Sequence, residues 1–459
     1  VIDLFPFQKE DVDHLEGVTG ALNANDMGTG KTYEAIERDA RIRAANGGRG
    51  ATLVVAPLTI LEDVWQAHFE ELTDLKVVVC DPKDRKRSWS AWHVIKGDVF
   101  VVHWEALRLM PELAQAQWLH VIADECHRAK NRKAQQTKAL KSIPHVGYKT
   151  AMSGTPVINR PDELWSILNW LHPRVYTSYW KFFGKYVETE TKYFRGRTVR
   201  VVVGPKNLHR LREELEPFYV RRRKEDVLPD LPEKYYTEIK VDLTPVQRRA
   251  YDTMRKEMIA WIGNQEAEVL AAPVVIAQLI RLQQFAVAFA EYDEDGDRIR
   301  LSEPSSKLDA LMEVLDESEE PLVVFSRFRQ LVDLAAERFR QANISFVTLT
   351  GDTSHADRRS NVEKFQKGNV RVFIGTLGAG GVGITLTRAS TVCFLDRDWS
   401  PALNRQAEDR LHRIGQQNAV QVIDITARRT VDLGKKQMLD LKESWIRAIL
   451  GDPQNDNTH

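Results

Sequence analysis

At 459 residues the chain is too long for one ordinary domain and fits two or three. Its 65 Lys and Arg residues balance 65 Asp and Glu, which excludes a global basic signature and leaves room only for a local nucleic-acid patch. Three scattered cysteines, Cys80, Cys126 and Cys393, exclude a zinc site and a disulfide framework and fit a reducing compartment. No run approaches the ~18 apolar residues of a membrane span.

The chain opens Val1-Ile2-Asp3, without Met, signal sequence or basic leader, and reads as trimmed. The first chemically loaded stretch is DMGTGKT, Asp26 to Thr32, ahead of a helical pattern over Tyr33–Ala45. Gly28 and Gly30 let backbone N–H groups approach phosphate oxygens, and a helix N-terminus adds positive potential there. Lys31 would reach the β- and γ-phosphates and the Thr32 hydroxyl would ligate magnesium. The strict phosphate-loop pattern wants glycine at position 25, where this chain has Asn25.

Near-continuous apolar runs follow at Leu53–Pro57, Val99–Trp104, His120–Glu125 and Thr150–Gly154. Separated by helical patterns, they predict buried strands of a parallel sheet. The third run ends in adjacent carboxylates: Asp124 is placed to hold magnesium through water, and Glu125 to orient and deprotonate an attacking water. Paired acids at a strand end are unremarkable alone, but downstream of GKT they complete a phosphoryl-transfer set.

From Pro156 to Pro304 the character changes to long helical stretches, such as Pro245–Gly263 and Pro273–Phe289, and an aromatic run at Tyr176–Tyr186. The charged loop Tyr292–Arg300 reads as a hairpin or linker. A second block of strands is expected at Leu322–Ser326, Phe346–Thr350, Val372–Thr376 and Val392–Asp396. The predicted fold is therefore α/β: two RecA-like parallel-sheet domains in tandem (1–160 and 305–450), helical insertions and a linker between them (161–304), and a polar tail (451–459).

In DWSPALNRQAEDRLHRIGQ, Asp398 to Gln416, a helix from about Pro401 would place Leu403, Ala407, Leu411 and Ile414 on an apolar stripe. Gln406, Arg410 and Arg413 would form a second stripe beside it. Two guanidiniums on a rigid face suit a hand reaching to a phosphate, an effect worth about 10³–10⁵ in rate where measured. The expectation is a cleft completed by domain closure, which couples hydrolysis to motion and makes a motor.

These elements together resemble the superfamily-two helicase-like ATPases, specifically the Swi/Snf family of DNA translocases. FPFQKEDVDHL (Phe5–Leu15) is similar to the family's adenine-reading segment, VVAPLTILEDVWQAHF (Val54–Phe69) to motif Ia and HWEAL (His103–Leu107) to motif Ib. DECHRAKN (Asp124–Asn131) resembles an extended motif II, SGTPVINRPDELWSILNWLHP (Ser153–Pro173) motif III, and FYVRRRKEDVLPDLPEK (Phe218–Lys234) the basic middle block. VVFSRF (Val323–Phe328) and LTGDTSHADRR (Leu349–Arg359) resemble motif IV and its following segment. GTLGAGGVGITLTRA (Gly375–Ala389) and Asp398–Gln416 resemble motifs V and VI.

The resemblance implies ATP and Mg²⁺ as cofactors and double-stranded DNA, contacted through its backbone, as the track. It also implies translocation without strand separation and 3′–5′ tracking. Gln8 would read adenine; Met27, Gly28, Thr29, Gly30, Lys31 and Thr32 would hold the triphosphate. Thr32 and Asp124 would serve the metal, Gly381 and Gly383 would lie near nucleotide and DNA, and Gln406, Arg410 and Arg413 would close the site. Thr59, Ser153, Gly154, Thr155, Arg221, Arg222 and Arg327 are candidate DNA contacts, although the 221–224 run could equally brace the two domains. Phe5, Asn25, Asp26 and Thr29 depart from the family pattern without removing a catalytic group. The competing expectations are a strand-separating or fork-remodelling helicase and an inactive ATP-gated DNA-binding scaffold. A monomer acting on DNA-bound protein is expected, intracellular and without a membrane, in bacterial or virus-infected cytoplasm ahead of a nucleus.

Overall fold

Runs of Val, Leu, Ile and Ala with no polar face become interior strands, because both sides of a parallel sheet are covered. The computed structural model of the chain describes residues 3–452 apart from 145, 158–159, 195–196, 265–271, 294–297 and 381–382. Two units emerge: Val1–Glu190 with Val201–Pro229 and Lys442–His459, and Thr191–Arg200 with Asp230–Leu441.

The first unit contains β1 (Gly20–Asn23), β2 (Thr52–Ala56), β3 (Val77–Val79), β4 (Val99–His103), β5 (Trp118–Asp124) and β6 (Val146–Met152). After an antiparallel pair, β7 (Val187–Phe194) and β8 (Arg197–Pro205), the short β9 (Tyr219–Val220) completes its sheet. The order is β3-β4-β2-β5-β6-β1-β9, parallel throughout. Register decides where chemistry collects: Asn23 and Asp124 both pair with Met152. The ends of β1, β5 and β6 are therefore level, and the loops that follow them emerge on one edge, where ligands of parallel sheets sit.

Two helices flank the loop after β1: α1 (Pro6–His14) and α2 (Lys31–Ala45). The buried face of α2 is largely charged, with Glu34, Arg38, Asp39 and Arg43 among its buried residues. Asp39 accepts from Arg43 Nε at 2.7 Å, from the Thr52 hydroxyl at 2.6 Å, and pairs with His120 Nδ1 at 2.8 Å. His120 Nε2 lies 2.8 Å from the Thr150 hydroxyl, which accepts from Arg38 Nε at 3.1 Å. Burial pushes the His120 imidazole below its ordinary value, against the pull of Asp39. A neutral ring that donates to Asp39 and accepts from Thr150 satisfies every partner.

The second unit contains β10 (Lys234–Val241), the antiparallel pair β11 (Phe289–Tyr292) and β12 (Ile299–Ser302), then β13 (Leu322–Ser326), β14 (Phe346–Leu349), β15 (Val372–Thr376), β16 (Thr391–Phe394) and β17 (Val420–Ala427). Its six-stranded parallel sheet runs β10-β17-β16-β13-β15-β14. The tandem parallel-sheet expectation is met. The helical segment expected between the domains is divided instead. Helices Leu164–Leu171, Tyr179–Tyr186 and Leu208–Leu215 bury Leu168, Phe182 and Leu211 in the first core. Helices Pro245–Asn264 and Ala272–Val287 bury Tyr251 and Phe285 in the second. Among the described residues no helix is long and apolar enough to cross a membrane. Residues 453–459 of the expected tail lie outside the described residues.

Asp39→Ala strands Arg43 and His120 inside the first unit. It should cost about 3–5 kcal/mol in urea unfolding; a loss under about 1 kcal/mol, the scale of an exposed pair, would show that this network does not seat α2.

Candidate active site

The loop from Ala24 to Gly30 turns on two glycines with positive φ, Gly28 at 81° and Gly30 at 87°. Gly30 caps α2, so the first amides of that helix have no carbonyl partner within it. A Cβ at Gly30 would fall 2.2 Å from Gln8 Nε2. Gln8 is buried, donates to Thr29 O at 2.8 Å and accepts from Phe5 N at 2.9 Å. Its amide fastens α1 to the loop. Asn25, where a glycine was wanted, is fully buried and wholly engaged. Its amide nitrogen donates to Asp11 Oδ2 at 2.8 Å and to both Glu34 oxygens at 3.1 Å, and its oxygen accepts from Arg222 N at 2.7 Å. The loop is shaped here by a side chain anchored from behind, not by backbone freedom.

Lys31 Nζ donates to the carbonyls of Asn25 and Asp26, each at 2.8 Å. Burial lowers its pKa, while the charges of Glu125, Asp124 and Asp26 act to raise it. Asp124 is held by Trp65 Nε1 at 3.0 Å on one oxygen and by Glu125 N at 2.8 Å on the other. Burial, then the neighbouring Glu125 charge, pushes its carboxyl up to about 6. Glu125 sits in the left-handed region, φ 49°, a strained conformation for a side chain of its kind. Its Oε2 accepts from the Ser153 hydroxyl at 3.3 Å and lies 3.1 Å from His127 Nδ1, itself 3.0 Å from Ser153 Oγ. The loop, the acidic strand tip and the loop after β6 thus meet on one edge of one sheet. A hydroxyl at a helix start and one carboxylate at a strand tip, with water completing the shell, fit magnesium. Thr32, in the first turn of α2, and Asp124, at the end of β5, would be that pair. Among the described residues no cluster of three His, Cys, Asp or Glu offers an all-protein metal cage.

The arginine segment of the second unit differs from expectation. The helix runs only Pro401–Glu408, and Arg410 and Arg413 lie beyond it. Ile414, expected on the apolar stripe, is 53% exposed, and Gln406 is buried. The chain leaves the helix because other partners claim it: Leu386 N donates to Arg410 O at 2.9 Å, and Lys234 Nζ reaches Glu408 at 3.3 Å and Asp409 at 3.2 Å. Both guanidiniums nevertheless converge. Arg410 Nη1 and Arg413 Nη1 donate to Ile384 O at 3.3 and 3.4 Å. Sequence reasoning missed the network at the end of the helix. Arg397 pairs with Glu408 at 2.7 Å and with Asp424 at 2.6 Å, and the Tyr236 hydroxyl donates to Glu408 at 3.0 Å. Burial alone would raise Glu408, but Lys234 and Arg397 hold its carboxyl down at about 2. Gly383 is exposed at φ 73°, and Gly381 lies outside the described residues.

Several candidate DNA contacts face inward instead. Ser153 and Thr155 are buried, and the Ser153 hydroxyl serves Glu125 and His127. A Cβ at Gly154 would meet Met27 Cγ at 3.0 Å, so this glycine packs on the phosphate loop. Arg221 has a 7% exposed side chain and is committed to Asp26 and Asp452. Arg222 pairs with Asp11 at 2.8 Å and Glu10 at 3.1 Å. A run of arginines looks the same in sequence whether solvated or buried against carboxylates. Thr59, in the 3-10 turn after β2, and Arg327, paired with Asp398 at 3.3 Å, stay partly exposed.

A glycine-turned loop before α2, an acidic strand tip and a second parallel unit carrying an arginine pair define a tandem α/β protein. Residues 12–286 match the SNF2-related domain and residues 306–415 the helicase conserved C-terminal domain. The chain belongs to the SNF2-related family. It is 28% identical over 441 residues to the transcription regulatory protein SNF2 of Saccharomyces cerevisiae, covering 92% of this chain and 26% of that one. It is also 28% identical over 465 residues to an uncharacterized ATP-dependent helicase of Mycoplasma pneumoniae, covering 99% of this chain and 43% of that one. The chain therefore spans less than half the length of these curated relatives. Among solved structures, the Sulfolobus solfataricus SWI2/SNF2 ATPase core in complex with dsDNA is 26% identical with a TM-score of 0.44, covering 97% of this chain and 92% of that one.

Burial raises the Glu34 carboxyl to about 7 from an ordinary 4.5, against hydrogen bonds from Asn23 and Asn25. The folded state then binds this proton more tightly than the unfolded chain. Its contribution to stability is full below about 4.5 and is lost as pH rises through about 7. Glu34→Gln should flatten the dependence of Tm on pH between those values; an unchanged slope would show that Glu34 does not titrate there.

Proposed function

We propose that the chain is a DNA-stimulated ATPase that converts hydrolysis to ADP and phosphate into movement along double-stranded DNA, without separating the strands. The observation that carries the reading is the alignment of Lys31, Asp124 and Glu125 on one sheet edge, with Glu125 held by His127 and Ser153. In this reading Lys31 leaves the carbonyls of Asn25 and Asp26 for the phosphates, as the first amides of α2 receive them. Glu125 accepts the proton of the attacking water, and its fixed geometry orients that water. Thr32 and Asp124 would hold Mg²⁺, which supplies charge neutralisation at the phosphates. Gln8 is placed beside the loop as the adenine reader. Arg410 and Arg413 supply charge to the leaving phosphate. Their convergence on the one carbonyl of Ile384 supports a preset pair. Duplex DNA as the stimulating partner rests on family membership, with Arg222 and Arg327, both partly exposed, as candidates for backbone contact.

Steady-state hydrolysis at one fixed salt, without nucleic acid and with duplex, single-stranded and forked DNA and RNA, tests this. Plain duplex should stimulate most. Stimulation by forks alone would make the chain a fork-remodelling helicase, preference for RNA would overturn the DNA assignment, and no hydrolysis anywhere would leave a scaffold. Lys31→Ala should abolish turnover. Glu125→Gln should keep nucleotide binding and lower kcat by about 10²–10⁴-fold. Arg410→Ala should lower the DNA-stimulated rate by about 10³-fold; a large affinity loss without a rate effect would remove it from the finger role.

A further inference from the structure

Arg221 spends all three guanidinium nitrogens on the back of the phosphate loop and on the C-terminal segment. Its Nη1 is 2.7 Å from Asp26 Oδ1 and from Ala24 O. Nε and Nη2 form a fork on Asp452, at 3.1 and 2.7 Å. Both side chains are nearly buried, 7% and 8% exposed. The other Asp26 oxygen accepts from Lys224 N at 3.0 Å. The carbonyl of this same Asp26 receives Lys31 Nζ and the Thr29 hydroxyl, each at 2.8 Å. One residue is therefore gripped by its carboxylate from behind and presents its carbonyl to the lysine in front.

Asp452 reaches this point because the C-terminal helix Val431–Leu450 ends in a tight cap. Gly451 has φ 88°, and the amides of Gly451 and Asp452 both donate to Arg447 O at 3.0 Å. The segment is seated independently of the ion pair. Ile446, Ile449 and Leu450 are buried in the core of the first unit, Arg212 Nη2 donates to Ala448 O at 2.6 Å, and the Tyr219 hydroxyl donates to Leu450 O at 3.2 Å. Beyond any part in seating, the fork ends on the Asp26–Thr32 loop.

We propose that Asp452 and Arg221 are positioning residues of the nucleotide site: the Asp452 side-chain carboxylate fixes the guanidinium, which fixes Asp26 and so sets where Lys31 rests and how tightly the loop takes a nucleoside di- or triphosphate. The inference rests on the nucleotide reading of Asp26–Thr32. Burial alone would lower the Arg221 pKa, and the carboxylates of Asp452 and Asp26 overturn this and raise it, so the guanidinium stays charged.

The test is binding of a fluorescent ADP analogue to the full chain, with kcat and KM for ATP and the melting temperature of each variant. Asp452→Asn should weaken analogue binding and raise KM about fivefold, with kcat at saturating ATP near the unmodified value. Arg221→Lys conserves charge but lacks the planar fork, and should weaken binding by the same factor. The double variant should be no weaker than either single one, because both act on one linkage. Asp452→Glu should recover part of the loss. Unchanged or tighter binding in both single variants, or additive losses in the double, overturns the proposal. So does a loss matched by a large fall in melting temperature that Asp452→Glu does not rescue. An unmodified chain that fails to bind the analogue sinks the nucleotide reading itself; a binding chain with indifferent variants sinks this inference alone.

Discussion

The site depends on how α2 is docked. A helix that carries a phosphate loop at its start must not rotate or slide, and apolar surfaces tolerate small slides because they are non-directional. Here the contact face is built from Arg38, Asp39 and Arg43, each matched to Thr52, His120 or Thr150 on the strands beneath. Such a network is weak as a source of net stability, since desolvation offsets most of the attraction. Its value is that only one register satisfies every donor and acceptor. The position of Lys31, one turn before Glu34, follows from that register.

The same logic of specifying from behind recurs around the loop. Asn25 is tied to Asp11 and Glu34, Gln8 to Thr29, and Gly154 is pressed on Met27. Across the sheet edge, Glu125 takes a left-handed backbone that its tertiary partners hold in place. The second unit repeats the pattern with other residues, since Lys234 pairs with both Glu408 and Asp409 at the helix end, and Arg397, itself fixed by Asp424, pairs with Glu408. In both units the candidate site residues are few, and the groups that fix them are many.

This division explains what could be read from sequence. The eight apolar runs were legible as strands because burial on both faces leaves a composition that little else produces. β1, GALN, was not legible, since its burial comes from neighbours and not from its own apolar character. β17, VQVIDITA, was passed over because polar residues interrupt its run. The placement of Lys31, Asp124 and Glu125 was legible because a GKT before a helical pattern and paired acids ending an apolar strand fix where those residues fall. The arginine helix was drawn too long, because periodicity continues to Leu411 while hydrogen bonds to Leu386 and Lys234 take the backbone elsewhere. Arg221 was ambiguous for a related reason: nothing in RRRK tells a solvated charge from one enclosed by Asp26 and Asp452.

The chain leaves the first unit at Pro229 and rejoins it at Lys442. In covalent terms most of the second unit is an insertion within the first, and the final piece of the first unit is synthesised after it. Domains usually complete folding in the order they leave the ribosome, but this one cannot. Until residues 442–452 arrive, Arg221 has Asp26 but not Asp452, and the pocket lined by Tyr219 and Leu211 lacks Ile446, Ile449 and Leu450. A chain cut short anywhere in the second unit therefore carries the Asp26–Thr32 loop without the Asp452 fork behind it. Full seating of that loop becomes, in effect, a mark of synthesis through Asp452.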